Sequence, residues 1–148
     1  MNTRGLLMLV AASTLAGCGT MAPDGGPPRS AQQCNDHGIC KVKVSVSKCV
    51  IDTPVPEPIV IANERDVHIE WELDFASWMA GNRFVDDGAI TVADGRGEFD
   101  QPELSAGGRK LKLHDKNRMP GKYKYAIKVT SSVFGVCTPL DPFIVNQG

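Results

Sequence analysis

The stretch "CNDHGIC" places His37 between Cys34 and Cys40 in a chain of 148 residues that has five cysteines and three histidines. Two chemistries compete for it: thiolates and an imidazole gripping a metal, or two sulfurs closing a small loop. Zinc sites usually take their thiolates from C-x2-4-C pairs, and neither this stretch nor Cys49 and Cys137 has that spacing. His68 lies beside Glu70 on the polar side of an alternating segment, and His114 precedes Asp115 at the end of a basic one. A Ser-His-Asp set can be drawn through Ser105, His114 and Asp115. Adjacent strand residues point to opposite faces, however, so His114 and Asp115 are badly placed to share a hydrogen bond. No G-x-S-x-G elbow, H-E-x-x-H pair or phosphate-cradling glycine loop is present. Asp94, Glu98 and Asp100, with Asp86 and Asp87 nearby, offer oxygens to calcium, but the spacing is not that of an EF-hand loop. A turn with solvated acids is expected there. No side chain takes a named catalytic role. The chain is therefore expected to be no enzyme and to hold no metal and no cofactor.

The N-terminus supplies an address. "MNTRGLLMLVAASTLAGC" has a positive Arg4 followed by an apolar run from Leu6 to Ala12. That run is far shorter than the roughly 20 residues that cross a bilayer, so it reads as a secretory signal. Leu15, Ala16, Gly17 and Cys18 are similar to the lipobox of bacterial lipoproteins. The resemblance implies removal of residues 1–17, a lipid on Cys18 and membrane attachment through that lipid. Gly19, where an aspartate would redirect the protein, implies the outer membrane, facing the periplasm. Residues 18–33 are rich in Gly, Pro and small polar side chains. They read as a flexible tether with a reach on the order of 20 Å. Residues 34–148 are left for one modest domain.

With Cys18 spent on lipid, Cys34, Cys40, Cys49 and Cys137 remain. An even number in a small exported domain implies two disulfides, for which three connectivities exist. The preferred pairing is Cys34–Cys40, around a loop with the turn chemistry of Asp36 and Gly38, and Cys49–Cys137, tying the start of the domain to its end.

Period two dominates the domain. Val42, Val44 and Val46 share one face of "KVKVSVS" and Lys41, Lys43 and Ser45 the other. In "VHIEWELDF", Val67, Ile69, Trp71, Leu73 and Phe75 are expected inside, with His68, Glu70, Glu72 and Asp74 in water. "PIVIA", "AITVA" and "PFIVN" add short strands. "RKLKLH" points Leu111 and Leu113 inward, and "YKYAIKV" does the same with Tyr123, Tyr125, Ile127 and Val129. "ASWMAGN" reads as a helical turn or a crossover, and no amphipathic helix stands out. Seven to eight strands with one solvated face predict an all-β, antiparallel two-sheet sandwich, with a small closed barrel as the alternative.

The run "PGKYKYAIKV" resembles the late strand of cupredoxins, the small copper-binding β-sandwiches, and also the Gly-x-Tyr run of immunoglobulin-like domains. The cupredoxin likeness implies a thiolate two residues after Tyr125, then a histidine and a methionine. Ile127 takes the cysteine's place, and neither residue type follows. A blue-copper set of two histidines, a thiolate and an axial methionine is not expected on that scaffold.

Charge is segregated although the net charge is only −1. From Glu64 to Glu103 eleven acidic residues face three basic, and from Arg109 to Lys128 eight basic face one acidic. Acidic and basic strands lying side by side would neutralise one another. Otherwise Arg109, Lys110, Lys112, Lys122, Lys124 and Lys128 form a surface for an envelope protein or an anionic polymer. Nucleic acid is not an expected partner. The leading expectation is a non-catalytic, membrane-tethered binding or scaffolding module. A metal or redox relative of cupredoxins using His37, His68 and His114, and an inhibitor of an envelope hydrolase, are the alternatives.

Overall fold

The computed structural model describes residues 34, 38–52, 54, 57–62, 65–95 and 97–147. The expected signal peptide, the tether with Cys18, and His37 lie outside the described residues. The fold is all-β. Its strands are β1 (Ile39–Val44), β2 (Val46–Ser47), β3 (Val50–Ile51), β4 (Ile59–Ile61), β5 (Val67–Leu73), β6 (Asn82–Phe84) and β7 (Ile90–Val92). They continue with β8 (Glu103–Ser105), β9 (Lys110–Asp115), β10 (Gly121–Ile127), β11 (Val129–Ser131), β12 (Gly135–Val136) and β13 (Phe143–Asn146). One short helix, α1 (Phe75–Met79), follows β5, and a 3-10 turn covers Ala106–Gly108. The expectation of seven to eight strands undercounts because β3, β6, β8 and β12, of two or three residues each, carry too little alternation to read.

Alternation sets which side chains go in. On β5 the pattern runs buried, half-buried, buried from Val67 to Leu73, and β9 answers with Leu111 and Leu113 buried. The two pair antiparallel with Trp71 opposite Leu111 and Ile69 opposite Leu113. A four-stranded sheet follows in the order β1-β5-β9-β8, and a second in the order β4-β13-β10-β7. Their buried side chains belong to one core. Trp71 from the first sheet meets Tyr125 from the second at 5.3 Å between ring centroids. The indole Nε1 donates to the Tyr125 hydroxyl at 3.3 Å, satisfying both polar ends inside an apolar layer. Burial pushes the Tyr125 phenol up. A third sheet, β12-β11-β6, and the β2-β3 hairpin complete the fold, which does not close into a barrel.

Two expectations need correction. The sheets are not purely antiparallel: β1 runs parallel to β5, and β4 parallel to β13. Period two reveals which face is wet, not which strand lies alongside or in which direction, so this was hidden from it. Phe75 does not continue the inward row of β5 and is 62% exposed. The Asp74 carboxylate accepts the Ser77 N–H at 2.7 Å and starts α1, so the alternation stops at Leu73. Ser77 is buried because its hydroxyl accepts the Val46 N–H at 2.8 Å.

The preferred disulfide pairing is the one observed: Cys34–Cys40 and Cys49–Cys137. The second also secures an awkward turn. Ser47 pairs with Val50 around Lys48 and Cys49, both at positive φ (50° and 61°), in a two-residue turn where Asn-Gly is preferred. A crosslink over 88 residues should outweigh one over 6. We expect the Cys49→Ser/Cys137→Ser variant to lose about 4–5 kcal/mol in urea unfolding and the Cys34→Ser/Cys40→Ser variant about 2 kcal/mol, on loop entropy.

Candidate functional site

Cross-strand register decides what the charged residues can do. On the outer face of the first sheet, Lys43 lies opposite Glu72, Glu72 opposite Lys110, and Lys110 opposite Ser105. One row over, Lys41 is opposite Glu70, Glu70 opposite Lys112, and Lys112 opposite Glu103. Positive and negative strands therefore alternate. Arg109 holds Glu72 at 2.8 Å, and Lys110 reaches Glu70 at 3.0 Å and Glu72 at 3.7 Å. The Glu70 carboxylate is the main reason the Lys110 ammonium is raised. Arg109 is further engaged by the Leu73 carbonyl at 3.3 Å and by the Trp78 ring, whose centroid is 5.7 Å from the guanidinium. Arg83 lies 5.0 Å from the same ring.

The six cations expected to form one surface are thus divided. Arg109 directly precedes β9, which carries Lys110 and Lys112, and the first two of these are neutralised. Lys122 and Lys124 are on β10 in the second sheet, and Lys128 falls between β10 and β11. There Lys124 pairs with Asp141 at 2.8 Å, and the Lys122 ammonium sits 3.8 Å from the centroid of Phe143.

The histidines come closer than their sequence positions suggest. His68 and His114 are cross-strand partners with rings edge to face, 4.9 Å apart. His114 Nδ1 lies 2.6 Å from Asp100 and its Nε2 3.5 Å from Asp66, while Asp115 faces the core, as opposite strand faces require. Asp100 is lowered chiefly by the Lys116 ammonium and then by His114. The His68 imidazole is lowered by burial first, then by Lys112 and His114. Its Nδ1 is buried with no hydrogen-bond partner among the described residues. His68, His114, Asp100 and Lys112 line a cleft of about 230 Å³ with Gln101 and Glu103. Among the described residues, no group of three or more His, Cys, Asp or Glu side chains is arranged to hold a metal ion.

The acidic turn also differs from expectation. Asp94 and Asp100 are exposed, but Glu98 is only 2% exposed. Its carboxylate accepts the backbone N–H groups of Arg118 and Met119, so it closes the loop that follows β9 instead of meeting solvent. Asp115 is fully buried beside that loop. Its Oδ1 accepts from the Asn117 N–H at 2.9 Å and the Asn146 amide at 3.0 Å, while its Oδ2 and Asn146 Oδ1 lack partners among the described residues.

What sequence reasoning missed is apolar. Val50, Phe75, Met79, Val133, Phe134 and Val136 are all exposed large hydrophobics, Val133 at 75%. They lie on elements near the end of β5, whereas two more, Ile39 and Met119, lie toward its start. Val50 is tied to the β11–β12 hairpin through the Cys49–Cys137 bond and the bridge to Thr138. Ser132 of that hairpin donates its N–H to Gly81, just after α1, at 3.2 Å. Gly81 is at φ +85° and a Cβ there would strike the Ser132 side chain, so the helix and the hairpin are held close. The available signal was "SSVFGV", an apolar pair at a glycine turn with no alternation to bury it. No protein-family model matches the chain, and no curated protein is significantly similar to it.

Two carboxyls give opposite pH limbs. Hydrogen bonding, led by the Ser45 hydroxyl, lowers Asp74 to about 2, so its stabilisation is complete above about pH 4 and lost as pH falls through about 2. Burial raises Asp115 to about 6, so the folded chain keeps a proton that the unfolded chain releases above about pH 4. Stability from this group therefore falls between about pH 4 and 6, by up to about 3 kcal/mol. Urea unfolding across that range should show the fall, and Asp115→Asn should remove it and raise stability at about pH 7.

Proposed function

We propose that this protein is an outer-membrane-tethered periplasmic lipoprotein whose β-sandwich domain, of cupredoxin-like or immunoglobulin-like architecture, binds a partner protein and catalyses no reaction. The observation that carries the reading is the exposed apolar end. Six of the eight exposed large hydrophobics, all but Ile39 and Met119, lie on elements near the end of β5, and exposed apolar surface on small domains marks interaction sites. Cys34, the first described residue, lies toward the other end. It is bonded to Cys40, which sits opposite Ile69 near the start of β5. Seven strand residues separate the two ends of β5, roughly 20 Å at the usual rise. A chain anchored through Cys18 and entering at Cys34 is attached at the end opposite the apolar one, which leaves that end free to meet a protein.

The charged face supports the same reading by default. Arg109 and Lys110 are paired with Glu70 and Glu72, and the remaining cations of the face are interleaved with the β5 glutamates, so an anionic polymer finds no concentrated positive patch on β9.

The test has two arms. Cys18→Ser should move the protein from the membrane fraction to the soluble periplasm. A photo-crosslinking side chain at Phe134 or Val136 of the anchored protein should give protein adducts of defined mass, and one at Thr91 on β7 should give none. Lipid adducts alone at Phe134, or equal labelling at Thr91, would overturn the reading.

A further inference from the structure

β1 is the margin of its sheet. The His68 N–H donates to the Gly38 carbonyl at 2.7 Å and the Asp74 N–H to the Val44 carbonyl at 2.9 Å, bracketing its parallel pairing with β5. In such a ladder residues of one parity bond to a given neighbour. The even-numbered residues of β1 therefore face β5, and Ile39, Lys41 and Lys43 turn their N–H and C=O groups outward. Among the described residues no other strand pairs with them.

The side chains on that edge have one sign. Lys41 and Lys43 are exposed and enter no ion pair among the described residues. They begin rows that continue through Glu70 or Glu72 to Lys112 or Lys110. The sign reverses at each strand, and the strand missing beyond β1 is the one that would be negative. An open groove of about 580 Å³ starts at Lys41 and Lys43 and crosses the end of β5 past Phe75 to Arg109, and the Glu72 and Asp74 carboxylates also line it. Phe75 supplies its exposed apolar wall.

We propose that the free edge of β1 receives an extended acidic strand from a partner protein, with carboxylates opposite Lys41 and Lys43 and an apolar side chain against Phe75. This rests on the reading of the domain as a binding module and names the chemistry of its partner. Backbone hydrogen bonds along the edge give affinity, and alternate side chains give selectivity. Lysines on an edge also deter self-pairing, and here both roles agree: they repel a second β1 and attract an acidic strand. The chain's own N-terminal segment is a poor occupant, because "GTMAPDGGPPRSAQQ" offers one acidic residue among prolines and glycines. The β8 edge of a second copy is also poor, being three residues long with Glu103 its only carboxylate.

The probe is a labelled strand peptide, TVEVEVT, with its glutamine twin TVQVQVT, titrated by fluorescence anisotropy into the full chain in detergent micelles. The acidic peptide should bind about two- to thirty-fold tighter, the range for two exposed ion pairs, and the advantage should vanish in high salt. Lys41→Glu/Lys43→Glu should abolish the preference, and TVKVKVT should restore binding to that variant. Methylating the peptide amides that face β1 should eliminate binding, whereas Phe75→Ala should weaken it. Binding that survives amide methylation would be surface adhesion and would overturn the proposal. So would equal affinity for both peptides, or self-association that the lysine reversals dissolve. If Phe134 crosslinks persist while the peptide fails, only the edge proposal falls; if both fail, the binding-module reading falls with it.

Discussion

Everything in the fold is indexed to β5. It pairs with β1 on one side and β9 on the other, and its inward row includes Trp71, which meets Tyr125 of the second sheet. Because side chains alternate, slipping β5 by one residue would put Glu70 and Glu72 in the core and Ile69 and Trp71 in water. The penalty comes twice, once in lost apolar burial and once in buried carboxylates. A single register therefore fixes both the packing of the two sheets and the pattern of charges outside. The indole-to-phenol hydrogen bond tightens this further, since it forms only when Trp71 and Tyr125 meet at one relative height.

The legible part of the fold was the part with a period. Val42, Val44, Ile69, Trp71, Leu111, Leu113, Tyr123, Tyr125, Ile127 and Val129 all sit where alternation puts them. The disulfide partners were legible too, through their even count and the turn chemistry between Cys34 and Cys40. Strand direction was not, because the same alternation serves a parallel or an antiparallel neighbour. Phe75 was misread because one carboxylate, on Asp74, ended the strand and began a helix. Glu98 was misread because two backbone N–H groups waited for it, and local sequence says nothing about a partner twenty positions away.

For the candidate surfaces, sequence gave the charges and withheld their pairing. Eight basic residues from Arg109 to Lys128 look like one patch in a linear chain. Folding sends some to β9, facing the glutamates of β5, and others to β10 in a different sheet. The two ends of the sheets also differ in kind. Near the start of β5, Asp115, Asn117 and Asn146 bury polar groups and Glu98 clamps the neighbouring loop. Near its finish, apolar side chains stay in water. Buried polar groups at one end cost stability, and only Ile39 and Met119 are exposed large hydrophobics there, while the six at the other end lower the free energy when something covers them.

This asymmetry separates affinity from selectivity. Exposed ion pairs are individually weak, so the ladder across β1, β5 and β9 adds little stability in itself. Its consequence is directional: each strand fixes the sign its neighbour must carry, and the series stops at two lysines whose backbone edge is open. The apolar end supplies the opposite property, driving force without discrimination. Phe75 belongs to both, exposed among the hydrophobics and lining the groove beside Lys41 and Lys43. The helix start at Asp74 that turns Phe75 outward thus joins the two surfaces. A partner engaging both would draw most of its binding energy from the apolar end and its specificity from the edge.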